Sequence, residues 1–150
     1  MGTTYAEITL KNSRDVGNAR EGLIEEGDVH SVTVQAVVDT GAMTLVINEE
    51  LQQKLGLAMT KKAFAYVANG QRVPCEETDP VDINWKNRSA SVRAVVIPGA
   101  RTVLLGAIPL ENMDLMVNPV TQELVGIHGE EEVYFALYLE SVHNVDTLWN

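Results

Sequence analysis

Asp39-Thr40-Gly41-Ala42 joins the apolar pair Val37-Val38 to the run Met43-Thr44-Leu45-Val46-Ile47. A carboxylate at the end of a buried strand is costly when it is ionised and unpaired. The hydroxyl of Thr40 and backbone N–H groups freed by a sharp turn would offset that cost. Gly41 lets the backbone approach the carboxylate closely. Just upstream, Val32, Val34, Ala36 and Val38 alternate with Thr33, Gln35 and Val37, the pattern of a strand with one strongly apolar face. The stretch therefore reads as strand, tight turn, strand, with an acid at the bend.

Further along, Val103-Leu104-Leu105-Gly106 forms a second apolar run ending in glycine, followed by Ala107-Ile108-Pro109-Leu110-Glu111-Asn112-Met113-Asp114-Leu115. A D-T-G-A turn, a hairpin region and an L-L-G strand entering a short helix, with the two motifs roughly sixty residues apart, resemble the retropepsin-like aspartic proteases. The similarity is greatest to the non-viral members and covers Ser31 to Ile127. It implies an all-β acid-protease barrel, mainly antiparallel, with one or two short helices. It also implies Asp39 as the catalytic carboxylate, with Thr40 and Gly41 as its support. Thr40 would bond across a twofold axis, Gly41 would donate its N–H to the carboxylate, and Ala42 would border the substrate. The Ala68-Asn69-Gly70-Gln71 segment falls where the family carries its flap, so Ala68, Asn69 and Gly70 are expected to touch substrate. Two positions depart from the viral pattern. The hairpin has only one glycine, and Ala107 stands where viral enzymes carry an arginine that helps tie the dimer.

The rest of the chain is mostly strand-like. Ala6, Ile8 and Leu10 alternate with polar or exposed-type neighbours and predict a first strand. Lys11 to His30 is polar, contains Gly17, Gly22 and Gly27, and reads as a long connection or extended hairpin. Asn48 is an N-cap for a short helix, with Glu49 and Glu50 in its first turn and Gly56 as its stop. Phe64–Val67 and Arg72–Cys75 flank an Asn-Gly hairpin signal. Val81, Ile83 and Trp85 alternate, and Val92, Ala94 and Val96 repeat the pattern after a turn at Asn87-Arg88-Ser89. A second short helix is predicted near Ile108, where Pro109 is acceptable in the first turn. Leu115-Met116-Val117, Asn118-Pro119 and Leu124-Val125 predict a closing hairpin. Residues 1–128 form the expected barrel domain, and 129–150 a C-terminal extension that packs on it or completes a dimer.

Composition narrows the partners. The 150 residues are 45% hydrophobic and 21% charged, with a net charge of −10 and no lysine–arginine cluster. Nucleic-acid phosphate and anionic membrane surfaces are excluded as expected partners. Cys75 is the only cysteine, so no intrachain disulfide forms, and a thiol in a strand without a base beside it is structural. His30, His128 and His143 show no metal-ligand spacing, so no metal and no cofactor are expected. The first residues lack a basic segment followed by an apolar core, and no apolar run approaches membrane-spanning length, which points to a cytoplasmic protein.

The copy number of the motif decides the assembly that the resemblance implies. These residues carry one Asp-Thr-Gly, since Asp146-Thr147 runs into Leu148 and Asp15 is followed by Val16. A pair of facing carboxylates then requires a twofold homodimer, in which each residue on the axis meets its own copy. The expected function is a homodimeric aspartic endopeptidase acting on an extended peptide through a water held between the two Asp39 side chains. The alternative is a retropepsin-like dimerisation or peptide-binding module with little turnover.

Overall fold

In the first strand, β1 (Tyr5–Asn12), every second residue turns inward: Ala6, Ile8, Leu10 and Asn12 are buried while their neighbours are not. β2 (Ser31–Val38) shows the same two-residue period, with Ala36 fully buried. The structure is a computed structural model that describes residues 2–134. Most of the expected 129–150 extension, including Phe135 to Leu139, His143 and Trp149, lies outside the described residues.

After β2 come β3 (Leu45–Ile47), α2 (Glu49–Lys54), β4 (Met59–Tyr66), β5 (Arg72–Trp85), β6 (Arg88–Val96), β7 (Val103–Leu105), α3 (Ala107–Asn112), β8 (Leu115–Asn118) and β9 (Glu123–Gly126). β1 pairs antiparallel with β2 on one side, from Tyr5↔Val37 to Lys11↔Ser31. On its other side it pairs with the second half of β5, from Thr9↔Asn84 to Asn12↔Val81. That second pairing closes the order β1-β2-β7-β3-β6-β5 into a six-stranded barrel. Two of its contacts, β2–β7 and β3–β6, are parallel, and the others are antiparallel. β4 pairs only with the first half of β5 and lies outside the closed ring, while β8 and β9 form the separate closing hairpin. This is the retropepsin-like barrel that the motif order implies.

Ile8, Leu10, Leu45, Ile47, Val81, Ile83 and Leu105 are at most 1% exposed and fill the barrel. Each such side chain contributes about 1.5–3 kcal/mol by leaving water. α2 closes one region of the core with Leu51 and Leu55. It begins as predicted, with the Asn48 side chain accepting from the Leu51 N–H at 3.0 Å, and Gly56 follows it at φ +61.

The Lys11–His30 connection departs from expectation. It contains the eight-residue helix α1 (Ser13–Arg20) and a short 3-10 turn at Glu26–Asp28. α1 buries no residue, so it leaves no apolar period to read in the sequence. Specific bonds hold it instead. The Asn12 side chain caps it by accepting from the Arg14 and Asp15 N–H groups, and at the same time donates to the carbonyls of Leu55 and Gly56. Arg14 bonds Asp79 at 2.8 Å, and Asp15 bonds the His30 ring at 2.7 Å.

Candidate functional site

The turn that follows β2 is held by backbone bonds to β7 and within itself. The Asp39 N–H donates to the Leu105 carbonyl at 3.0 Å, tying the turn to the end of β7. The Ala42 N–H donates back to the Asp39 carbonyl at 3.1 Å and tightens it. The Gly41 N–H donates to Asp39 Oδ1 at 2.9 Å. A Cβ on residue 41 would stand 3.1 Å from that same oxygen, so glycine leaves room for the carboxylate to sit over its own turn.

Gly106 matters in a different way. A Cβ there would overlap the Ala42 and Thr44 carbonyl oxygens, both backbone atoms that cannot swing aside. Its absence lets the L-L-G strand press against the Asp39 turn. The next two residues then use the contact: the Ala107 N–H donates to the Ala42 carbonyl at 2.8 Å and the Ile108 N–H to the Met43 carbonyl at 2.9 Å. These first amides of α3 have no partner within the helix, and the turn supplies them. Thr44 is buried, and its hydroxyl donates to the Arg93 carbonyl at 3.0 Å, fixing the start of β3. The two sequence motifs thus form one hydrogen-bonded unit.

Asp39, Thr40, Gly41 and Ala42 are gathered at this turn. In one chain Asp39 and Ala42 are half-buried and Thr40 and Gly41 exposed, so the carboxylate is more open than the sequence suggests. Among the described residues, the Thr40 hydroxyl makes none of the hydrogen bonds that stabilise the turn, and the Gly41 N–H is the one donor to the carboxylate. Exposed apolar side chains lie close by in sequence and structure: Met43 is 70% exposed and Ile108 40%, although both have their backbones locked into the turn unit.

Ala68, Asn69 and Gly70 form the exposed tip of the β4–β5 hairpin. The Gly70 N–H donates to the Val67 carbonyl at 2.8 Å, the Val67 N–H to the Gln71 carbonyl at 3.0 Å, and Gly70 takes φ +83. That is a three-residue loop closing on a left-handed glycine. Its hydrogen bonds stay within the hairpin; among the described residues none joins the tip to the Asp39 turn. Along the hairpin Phe64 and Tyr66 are both strongly exposed, with the Arg72 guanidinium 4.3 Å from the centre of the Phe64 ring.

Three groups have a place that the sequence did not reveal. Arg88 lies in the turn region Asn87-Arg88-Ser89, yet it is 2% exposed and is the largest fully buried side chain. The signal for it was its phase: it falls in register with Ala90, Val92, Ala94 and Val96, the inward positions of β6. His30 and His128 each pair with an aspartate, Asp15 and Asp114, at 2.7 Å. Burial works to raise the Asp15 carboxyl, but hydrogen bonds from the His30 backbone and ring, with the charges of His30 and Arg14, outweigh it and hold Asp15 below its ordinary value. Cys75 is buried, and that burial, then the Glu77 charge, raises its thiol, as a structural cysteine requires.

Among the described residues no group of three His, Cys, Asp or Glu side chains is placed to hold a metal ion, and no helix is long and apolar enough to cross a membrane. A cavity of about 650 Å³ is lined by Asp82, Ser91, Glu111, Asp114, His128 and others, none of them from the Asp39 turn.

Comparison with known proteins agrees with this fold. No curated protein sequence matches significantly. Among solved structures, the EIAV protease in complex with the inhibitor HBY-793 superposes with a TM-score of 0.51 at 18% identity, over 73% of this chain and 86% of that one. At that identity the likeness concerns the fold. A family model described as aspartyl protease matches residues 25–129, which takes in the Asp39 turn, the hairpin and the L-L-G strand. That match spans well over half of the sequence, and the chain belongs to the aspartyl protease family.

Proposed function

We propose that two copies of this chain form a twofold dimer that hydrolyses peptide bonds, with Asp39 of each copy facing its mate across the axis. The observation that carries this reading is the Asp39 turn. It presents a carboxylate held by the Gly41 N–H on a rigid strand-and-helix unit, in a sequence with a single Asp-Thr-Gly and in a family of aspartyl proteases. One chain supplies half of a reacting pair and one wall of a cleft.

Two carboxylates about 3 Å apart do not both ionise cheaply, so the pair shares one proton. The ionised Asp39 takes a proton from the bridging water as that water attacks the scissile carbonyl. The protonated Asp39 of the second copy gives its proton to the carbonyl oxygen. The resulting tetrahedral diol collapses with proton transfer to the leaving amine, and the dyad returns to its singly protonated state. Gly41 orients the carboxylate through its N–H. Thr40, exposed in one chain, is free to bond its counterpart beneath the pair. The substrate lies as an extended strand bordered by Ala42, and the Ala68-Asn69-Gly70 tip closes over it to exclude water.

The test is cleavage of a peptide library by the purified chain, with a statine-type peptide as inhibitor. The expected result is a bell-shaped rate favouring the acidic side, because only the singly protonated dyad works, with the two apparent pKa values belonging to the pair. Binding of the inhibitor without turnover of any peptide would favour the binding-module reading. A rate that keeps rising into alkaline pH would exclude the carboxylate mechanism.

A further inference from the structure

Arg88 opens β6 and is fully enclosed. Removing a guanidinium from water is costly unless donors and charge find partners, and among the described residues Arg88 meets that cost through both Nη atoms, its Nε having no hydrogen-bond partner. Its Nη1 donates to the Met113 carbonyl at 2.6 Å and the Asp114 carbonyl at 3.1 Å, and its Nη2 to the Gly129 carbonyl at 2.8 Å. The Asp114 carboxylate, 4.0 Å away, balances the charge and bonds the His128 ring with its other oxygen. Met113 is the C-cap of α3, and Asp114 turns the chain out of the helix at φ 55. Arg88 therefore takes up the Met113 carbonyl, which the end of α3 leaves without a partner inside the helix, and ties it to the chain that follows.

The opposite end of the same helix holds the Asp39 turn through the Ala107 and Ile108 amides. A helix of six residues is about 9 Å long. Inside it, the Leu110 N–H bonds the Gly106 carbonyl and the Met113 N–H bonds the Pro109 carbonyl, so the two ends are joined by its own ladder. α3 is a short strut clamped at one end by a buried arginine and at the other by the turn that carries the acid.

We propose that Arg88 is a positioning residue for Asp39: by clamping the C-terminal end of α3, it sets where the first amides of that helix hold the Asp39-Thr40-Gly41-Ala42 turn. The inference rests on the peptidase reading for its catalytic consequence, but not for the mechanical coupling. Catalytic geometry is unforgiving, since a misplacement of about 1 Å costs roughly a hundredfold in rate. Lysine keeps the charge beside Asp114 but lacks the planar fork that reaches three carbonyls at once.

The experiment compares wild type with Arg88→Lys, counting working sites by titration with the statine-type inhibitor. Among folded, titratable sites, kcat should fall at least about tenfold while KM changes less than about twofold, because a displaced acid weakens the transition state more than ground-state binding. An unchanged kcat per titrated site would overturn the proposal and leave Arg88 as a stabilising residue only. Native-state hydrogen exchange on the wild-type protein needs neither activity nor a folded variant. The Ala107, Ile108 and Met113 amides should open together, with one free energy and one denaturant dependence. Ends that open independently would refute the strut. If wild type shows no turnover while these amides still open as one unit, the peptidase reading has failed and the coupling stands.

Discussion

Asp39→Asn removes the ionisable group at the centre of the site and keeps its shape, and the amide oxygen can still accept from the Gly41 N–H, so the turn should survive. Peptide cleavage should drop by about 10²–10⁴-fold, the usual worth of general acid–base chemistry, with the unfolding midpoint nearly unchanged. Cleavage at the wild-type rate would remove Asp39 from the mechanism. At Asp15 the prediction concerns pH. Its carboxyl is held below the ordinary value in the folded chain, net of a burial effect that opposes this. Its contribution is therefore complete above the unfolded value near about pH 4 and is lost as pH falls through the lower folded value. Asp15→Asn should cost about 1 kcal/mol at neutral pH, with the gap to wild type closing toward about pH 2 in urea titrations. A gap that holds constant over that range would mean that the fold does not favour the ionised form of Asp15. Asp39 was legible because three adjacent residues carry its chemistry. The Asp15–His30 and Asp114–His128 pairs were not, since each joins residues fourteen or fifteen apart through loops whose path no period announces.

At the scale of elements, the two motifs separated in sequence prove to be one object, and Gly106 is its hinge of contact. Gly106→Ala places a methyl group against the backbone carbonyls of Ala42 and Thr44. Neither atom can yield without moving β3 or the turn, so the variant should lose about 3 kcal/mol and its activity with it. A urea midpoint equal to that of wild type would show that the strand and the turn do not press together. Strand elements were readable wherever one face is buried, because the two-residue period survives in Ala6, Ile8 and Leu10 or in Val92, Ala94 and Val96. α2 and α3 were readable from Asn48, Gly56 and Pro109, whose backbone chemistry marks helix ends. α1 was missed because it buries nothing and is stabilised by Asn12, Arg14 and Asp15 reaching partners far along the chain. Arg88 was missed for the opposite reason: a charged side chain in an inward phase looks like a turn residue until its three carbonyl partners are seen.

For the whole molecule, the closing of β1 onto β5 makes a complete barrel of modest size, with a half-buried acid at its edge rather than in an enclosed cleft. That combination accords with an active site completed by a second copy, and Tyr5, Met43 and Ile108 leave apolar surface beside the strands and turn that such a copy would cover. Ala107, in the position of the viral arginine, supplies no charged tether, so the proposed dimer rests on other contacts. The most direct measurement is a mixing assay. A fixed amount of wild type is refolded with increasing Asp39→Asn and assayed with substrate in excess. If each working site needs one Asp39 from each of two chains, mixed dimers are dead, and activity falls to about half at equal amounts and to about one fifth at fourfold excess of the variant. Activity that stays at the value of wild type alone, with the two proteins shown to be folded, would contradict a dyad shared between chains.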